Sequence, residues 1–260
     1  MRFEVLNVGH GLCAYLEAEN KNLMVFDCGY NGATGFKPSD YFRRRGHSSI
    51  QRFIVTNYDQ DHIDDLPDLK ANFNIEILHR NSSISSSQLR VLKRQGGPIS
   101  DAMECLLDMI DRYNGGEPSP PPPFPGVTLS HFWNSYKDDF DDTNNISLVT
   151  FLNCNETVFV IPGDLEKAGW EKLLKNASFR SELAKVNYFI ASHHGRENGY
   201  CEEVFNYCTP KLVIMSDGPK RYATQEMVST YTKHASGVKI NGKMRYVWTT
   251  RSDGVIHWDL

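Results

Sequence analysis

Residues 56–62, Thr56-Asn57-Tyr58-Asp59-Gln60-Asp61-His62, follow a short apolar run, Arg52-Phe53-Ile54-Val55, that reads as the end of a buried strand. One tight strand-to-helix turn therefore presents Asn57, Asp59, Asp61 and His62 together. Two carboxylates and an imidazole so close in sequence make a poor core, because burial without partners costs several kcal/mol per group. They make a good set of donors for a divalent cation. Taken alone, Asp-x-Asp is equally well explained as a solvated acidic turn, so the decision rests on the rest of the chain.

Three further features stand where a loop leaves the C-terminal end of a predicted strand. Asp27 ends Leu23-Met24-Val25-Phe26, Asp164 follows Val158-Phe159-Val160-Ile161-Pro162-Gly163, and His193-His194-Gly195 follows Val186-Asn187-Tyr188-Phe189-Ile190-Ala191-Ser192. Each has a plainer explanation by itself. An acid after an apolar strand is often a helix N-cap, as Asp164 would be before Leu165-Glu166-Lys167, and paired histidines are often polar loop. Their occurrence together and in this order is specific.

The length of 260 residues can bury one large core or two small ones, and 40% hydrophobic content fits a globular protein. The start, Met1-Arg2-Phe3-Glu4-Val5, enters a strand pattern at once and lacks a signal-peptide layout. No apolar run approaches the ~20 residues that cross a bilayer, so no membrane partner is expected. Six cysteines lie scattered without a CxxC pair, which points to buried free thiols in a reducing, cytoplasmic setting. A net charge of -4 argues against a strongly basic nucleic-acid coat but leaves room for an enzyme whose metals supply local positive charge. The basic clusters Arg43-Arg44-Arg45 and Arg90 with Lys93-Arg94 read as solvated faces.

Strand patterns at Phe3–Val5, Cys13–Leu16 and Leu23–Phe26 predict an antiparallel meander. A short helix over 64–69 and a strand over 75–78 follow the acidic turn. Apolar residues at 99, 102, 103, 106, 107 and 110 make one helical stripe, with Pro98 suited to its first turn. Beyond Gly115-Gly116 comes a stiff proline-rich stretch from Pro118 to Pro125. Strands of similar character resume on either side, so residues 1–260 read as a single domain with a helical, proline-rich insertion around 81–126. The second half alternates strands (127–132, 147–152, 158–161, 186–191, 211–215, 245–249, 254–257) with helices near 165–175, 179–183, 201–207 and 224–234. The whole predicts a layered α/β sandwich.

With these motifs in place, the chain resembles the metallo-β-lactamase fold superfamily, whose motif after a strand is His-x-His-x-Asp-His. Within it, the chain resembles the metallohydrolase domain of the ComEC/Rec2 DNA-uptake proteins, where the motif is His-x-Asp-x-Asp-His; here it reads Asn57-x-Asp59-x-Asp61-His62. That family's Asn-Asn-x-Ser-Leu-Val strand corresponds to Asn144-Asn145-Ile146-Ser147-Leu148-Val149. Its Thr-Gly-Asp-(Ile/Leu)-Glu corresponds to Pro162-Gly163-Asp164-Leu165-Glu166, and its His-His-Gly to His193-His194-Gly195. The likeness runs on through Thr209–Ser216 and Thr249–Gly254, as a stand-alone hydrolase domain.

The resemblance implies a four-layer αββα sandwich and a two-metal site. Asp61, His62 and the histidine pair would hold one ion, and Asp164 would bridge to a second held by Asp59 and Asn57. The family pattern favours His194 as the ligand, leaving His193 to face substrate as a general acid or hydrogen-bond donor; the sequence itself does not decide between the two. Asp61, Asp164 and His193 carry the implied catalytic roles, and Asp27 matches the acid that braces the histidine-bearing turn. Asn57 replaces the family's first histidine with a neutral, weak donor, so one ion site is oxygen-rich and loose. The third-motif histidine is absent, as in the ComEC group, and Asp141-Asp142 near its place reads as solvated loop.

The donor types favour Mn²⁺ or Zn²⁺, with Mg²⁺ an option at the oxygen-rich site. The expected activity is phosphodiester hydrolysis by a dinuclear centre, with a nucleic acid, DNA above all, as substrate; any protein partner is unspecified. Two other functions fit the same residues: hydrolysis of a small phosphodiester, and a degenerate metal-binding regulatory module that has lost turnover with its first histidine. Tyr30, Phe36, Tyr58, Tyr200 and Tyr222 are candidate base-stacking residues, though packing explains each singly. Lys220-Arg221 stand where the family often has a Gly-His-Pro stretch, and are candidate phosphate contacts in its stead.

Overall fold

The structure is a computed structural model that describes residues 1–220, 223–240 and 242–260. Its strands, in chain order, are β1 (Arg2–Val5), β2 (Ala14–Glu17), β3 (Leu23–Phe26), β4 (Ser49–Ile50), β5 (Arg52–Ile54), β6 (Asn74–Ile75), β7 (Leu78–His79), β8 (Val127–Phe132), β9 (Val149–Cys154), β10 (Thr157–Ile161), β11 (Tyr188–Ile190), β12 (Leu212–Met215), β13 (Val238–Ile240), β14 (Lys243–Arg245), β15 (Val247–Thr249) and β16 (Ile256–Asp259). Two six-stranded sheets run β16-β1-β2-β3-β5-β7 and β15-β12-β11-β10-β9-β8.

Period-two alternation explains how these strands build layers. Phe3, Leu16, Phe26 and Ile54 of the first sheet face Leu152, Phe159, Ile161 and Ile190 of the second, with the Phe3 and Phe159 rings 4.4 Å apart. The intervening residues point outward. Tyr15, Val25 and Phe53 pack on Phe42, Leu66, Leu69, Leu106 and Leu107, while Val158, Val160, Phe189 and Val213 pack on Trp170, Leu173, Phe179 and Leu183. Helices over the outer face of each sheet complete the expected four-layer αββα sandwich.

The meander forms as predicted, with Phe3 opposite Leu16 and Leu16 opposite Met24 in antiparallel register. β3 then pairs in parallel with β5, placing Phe26 beside Ile54, so Asp27 and the acidic turn leave the sheet from the same edge. In the second sheet, parallel β10, β11 and β12 pair Val160 with Phe189 and Ile190 with Ile214. Loops after these three strands emerge at one edge as well. A hydrogen bond from Leu148 N to Thr56 O (2.8 Å) ties the two edges together.

Several elements differ from the sequence expectation. The single strand over 75–78 is split into β6 and β7, which join different sheets. The stripe helix spans Asp101–Arg112 and is capped by Ser100, which accepts from Met103 N, so Pro98 lies before the cap instead of in the first turn. A further helix, Ser86–Arg94, was not anticipated; a reciprocal capping box between Ser85 and Gln88 starts it. The helix expected at 201–207 is a 3-10 turn, Glu202–Asn206. The strand expected over 245–249 divides between hairpin strand β14 and β15. All six cysteines are free, and five are buried. Among the described residues no helix is long and apolar enough to cross a membrane.

Glu17, at the end of β2, provides a test of surface electrostatics. Burial pushes its carboxyl upward, but hydrogen bonds from Lys21 (2.7 Å) and Arg45 (3.3 Å) outweigh that and hold the pKa at about 2, below the ordinary 4.5. A depressed carboxylate stabilises the fold above its unfolded pKa and loses that contribution as pH falls towards the folded value. Glu17→Gln should therefore shrink the stability difference between about pH 6 and about pH 3 by about 1 kcal/mol, allowing for solvent screening of the partners. Urea midpoints at the two pH values measure this, and an unchanged difference contradicts it.

Candidate metal centre

At the tied edges, Asp61, His62, Asp164 and His194 converge, with one ligand atom from each lying within 4.8 Å of all the others. His62 is fully buried between two carboxylates: Nδ1 is 2.7 Å from Asp27 Oδ2 and Nε2 is 2.9 Å from Asp164 Oδ1. His194 Nε2 lies 3.3 Å from Asp61 Oδ2 and 3.4 Å from Asp164 Oδ1. The same atom is buried and makes no well-directed hydrogen bond, whereas Nδ1 is fixed by the Ser216 carbonyl at 3.1 Å. A ring held from behind with its other nitrogen facing two carboxylates is the arrangement a cation requires.

Backbone geometry sets these directions. Asp27 takes a left-handed conformation (φ 57°), which Asp and Asn tolerate better than most residues. It accepts hydrogen bonds from Thr56 N (2.7 Å) and Thr56 Oγ1, fixing both the start of the acidic turn and the tautomer of His62. His193 and His194 are both left-handed, with φ 50° and 57°, a conformation that costs on the order of 1–3 kcal/mol each. Such strain in adjacent residues persists because it aims both rings towards Asp164. Gly163 (φ +60°) has no room for a Cβ, which would lie 2.9 Å from Thr56 O, so a side chain there would separate Asp164 from the acidic turn.

Charges in the cluster are strongly coupled. Burial would raise the Asp164 carboxyl, but His194 and His62 more than reverse this and hold it well below the carboxylate range. Asp61 is likewise held at about 2, burial being outweighed by His194. Burial would lower both imidazoles, yet Asp164 and Asp61 raise His194 to about 9, and Asp164 and Asp27 hold His62 well above its ordinary value. The carboxylates thus demand positive charge between them. Because a cation competes with protons for both Nε2 atoms, its affinity should rise with pH throughout the range below about 9, the value at His194. Mn²⁺ titration at two pH values below that point checks this, and equal affinities would contradict it.

The other expected site residues are placed differently. His193 stays near the rim of the cluster, with Nε2 3.8 Å from Asp164 Oδ2 and Nδ1 3.7 Å from Glu166 Oε1. Burial lowers its pKa, with His194 and Arg196 adding to the effect, and Arg196 Nη1 donates to its Nε2 at 3.3 Å. Asn57 and Asp59 lie outside the cluster. The Asn57 amide donates to Thr143 O (3.2 Å), Asn144 Oδ1 (3.2 Å) and Ser147 Oγ (3.0 Å) and accepts from Asp59 N at 2.7 Å. Asp59 Oδ1 accepts from Lys93 Nζ and Thr143 Oγ1, both at 2.8 Å. The four-residue cluster offers donors for one cation, while Asn57 and Asp59 are engaged by neighbouring protein groups.

Asn144, Asn145 and Ser147 form the wall behind the centre: Ser147 Oγ accepts from Asp164 N at 3.2 Å, and Asn145 holds Gly169 N at 2.9 Å. Asp142 braces that wall by accepting from Asn145 N at 2.7 Å, and it contributes nothing to the cluster. Tyr58 is buried with its hydroxyl on Asn81 O, and Tyr200 bonds His234, so both are packing residues. Phe36 packs on the first core, and Tyr30 lies beneath Lys37. Arg221 and Tyr222 lie outside the described residues. Lys93, Thr143, Glu166 and Ser216 were not anticipated as neighbours of the centre.

No family model matches the sequence. ComE operon protein 3 of Bacillus subtilis (strain 168) is 22% identical over 223 residues, covering 81% of this chain; the match spans about a quarter (26%) of that protein's length. Zn²⁺-bound PqqB from Methylobacterium extorquens superposes with a TM-score of 0.54 at 9% identity, covering 100% of both chains. Igni18, a metallo hydrolase from Ignicoccus hospitalis, superposes with a TM-score of 0.52 at 10% identity, again over 100% of both.

Proposed function

We propose that this chain, which has the metallo-β-lactamase fold, is a metal-dependent phosphodiester hydrolase acting on DNA. The carrying observation is the convergence of Asp61, His62, Asp164 and His194 from distant loops onto one small volume. A divalent ion there, Mn²⁺ or Zn²⁺ by donor type, would supply a polarised phosphoryl oxygen and a water of lowered pKa.

The protein's own residues do the positioning. Asp27 holds the tautomer of His62, Ser216 holds that of His194, and Ser147 fixes the Asp164 backbone. His193, whose Nε2 accepts from Arg196 Nη1 at 3.3 Å and lies 3.8 Å from Asp164 Oδ2, would donate a hydrogen bond from that nitrogen to a leaving or non-bridging oxygen only when protonated. Motif resemblance to the ComEC/Rec2 metallohydrolase domain supports DNA among phosphodiesters, since fold alone does not choose a substrate. The test incubates plasmid and single-stranded DNA with Mn²⁺, beside a chromogenic diester and an EDTA control. Mn²⁺-dependent DNA cleavage is expected. Intact DNA with a hydrolysed chromogenic diester would move the substrate to a small phosphodiester.

A second reading, a regulatory module without turnover, is favoured by one observation: Asn57 and Asp59 are committed to hydrogen bonds and an ammonium. It expects no hydrolysis with any ion and no functional loss in Asp164→Asn.

A further inference from the structure

Asp59 and Asp61 are two residues apart on one turn, yet they have different partners. Asp61 points into the four-residue cluster, whereas Asp59 meets an ammonium, Lys93 Nζ, at 2.8 Å. Lys93 is no chance surface contact. It sits on the capped helix Ser86–Arg94, four residues after Leu89, which is buried in the first core. Residues four apart share a helix face, so the burial of Leu89 directs Lys93 inward, towards the turn. Arg90 lies elsewhere on the helix and pairs with Glu104 instead. The next stretch reaches the same turn, where Ser100 Oγ donates to Gln60 Oε1.

We propose that the Lys93 ammonium takes the place of a second metal ion, so that the centre binds one divalent cation at Asp61, His62, Asp164 and His194 and presents a fixed ammonium beside it. The contact supports this: the Lys93 ammonium already meets Asp59 Oδ1 at 2.8 Å, where a second cation held by Asp59 would have to displace it. Asn57 agrees, because its amide is pinned by three acceptors and a backbone donor and is not available to turn towards an ion. The consequence for the proposed hydrolysis is specific: a phosphate group would meet a metal on one side and Lys93, anchored by Asp59 and less free than a surface lysine, on the other.

This inference rests on the proposed metal centre but is tested by ion count, independently of turnover. The 260-residue chain is stripped with chelator and titrated with Mn²⁺ by calorimetry, with electron paramagnetic resonance reporting isolated or exchange-coupled ions. Wild type and Lys93→Arg should bind one isolated ion per chain. Lys93→Met frees the Asp59 carboxylate and should bind a second ion, about tenfold or more weaker than the first. Asp59→Asn should keep one ion with an affinity within about threefold of wild type. Two ions in wild type, a count that stays at one in Lys93→Met, or loss of the ion in Asp59→Asn would each overturn the proposal. A wild-type chain that binds no Mn²⁺ overturns this proposal together with the hydrolase reading. One that binds a single ion but cleaves no diester overturns only the hydrolase reading.

Discussion

Asp164→Asn is expected to lower diester hydrolysis by at least about a thousandfold and to remove the bound cation. No other side chain touches as much of the centre. One oxygen lies 2.9 Å from His62 Nε2 and 3.4 Å from His194 Nε2, and the other lies 3.8 Å from His193 Nε2. The neutral amide removes the charge that holds both imidazoles and puts donors where an ion needs acceptors. The fold should survive, because the Asp164 backbone bond to Ser147 Oγ does not involve its carboxylate. Initial rates with Mn²⁺ and metal content by mass spectrometry measure the effect. A loss of less than about tenfold would show that Asp164 is scaffold, not ligand.

The second large effect is expected one layer back. Asp27 binds no cation but accepts from Thr56 N, Thr56 Oγ1 and His62 Nδ1 in a fully buried site. Asp27→Asn keeps the shape and tolerates the left-handed backbone, so it isolates the loss of charge and of one acceptor. Mn²⁺ affinity should fall by about 10–100-fold as the His62 ring loses its orientation. Stability should fall by about 2 kcal/mol, because a buried donor is left without a partner. The rate at saturating Mn²⁺ should change much less than the affinity. Calorimetry and thermal melting separate these effects, and an unchanged affinity would mean that the Asp27–His62 pair serves folding only.

The layered fold was legible because alternation in short strands such as Phe3-Glu4-Val5 and Val158-Phe159-Val160 reports directly which residues face the partner sheet. The four cluster residues were legible for a different reason. Each follows an apolar strand, and parallel neighbours bring such loop positions to one edge. Lys93 was not legible as a site residue, because charge alone assigns Arg90, Lys93 and Arg94 to a solvated face. Its partner became visible only once the helix Ser86–Arg94 was placed by the burial of Leu89. A local signal did exist: Ser85-Ser86-Ser87-Gln88 is a capping-box pattern that marks the helix start. Asn57 and Asp59 show the limit of spacing arguments. Motif position places them next to the centre, but the groups that engage them lie 34 to 90 residues away: Thr143, Asn144 and Ser147 for Asn57, Lys93 and Thr143 for Asp59.

Crystals soaked with Mn²⁺ and measured at the manganese edge test the account most directly. The expected result is an anomalous peak coordinated by Asp61, His62, Asp164 and His194, lost in Asp164→Asn. No peak among these four side chains, or an ion held elsewhere on the chain, would contradict it.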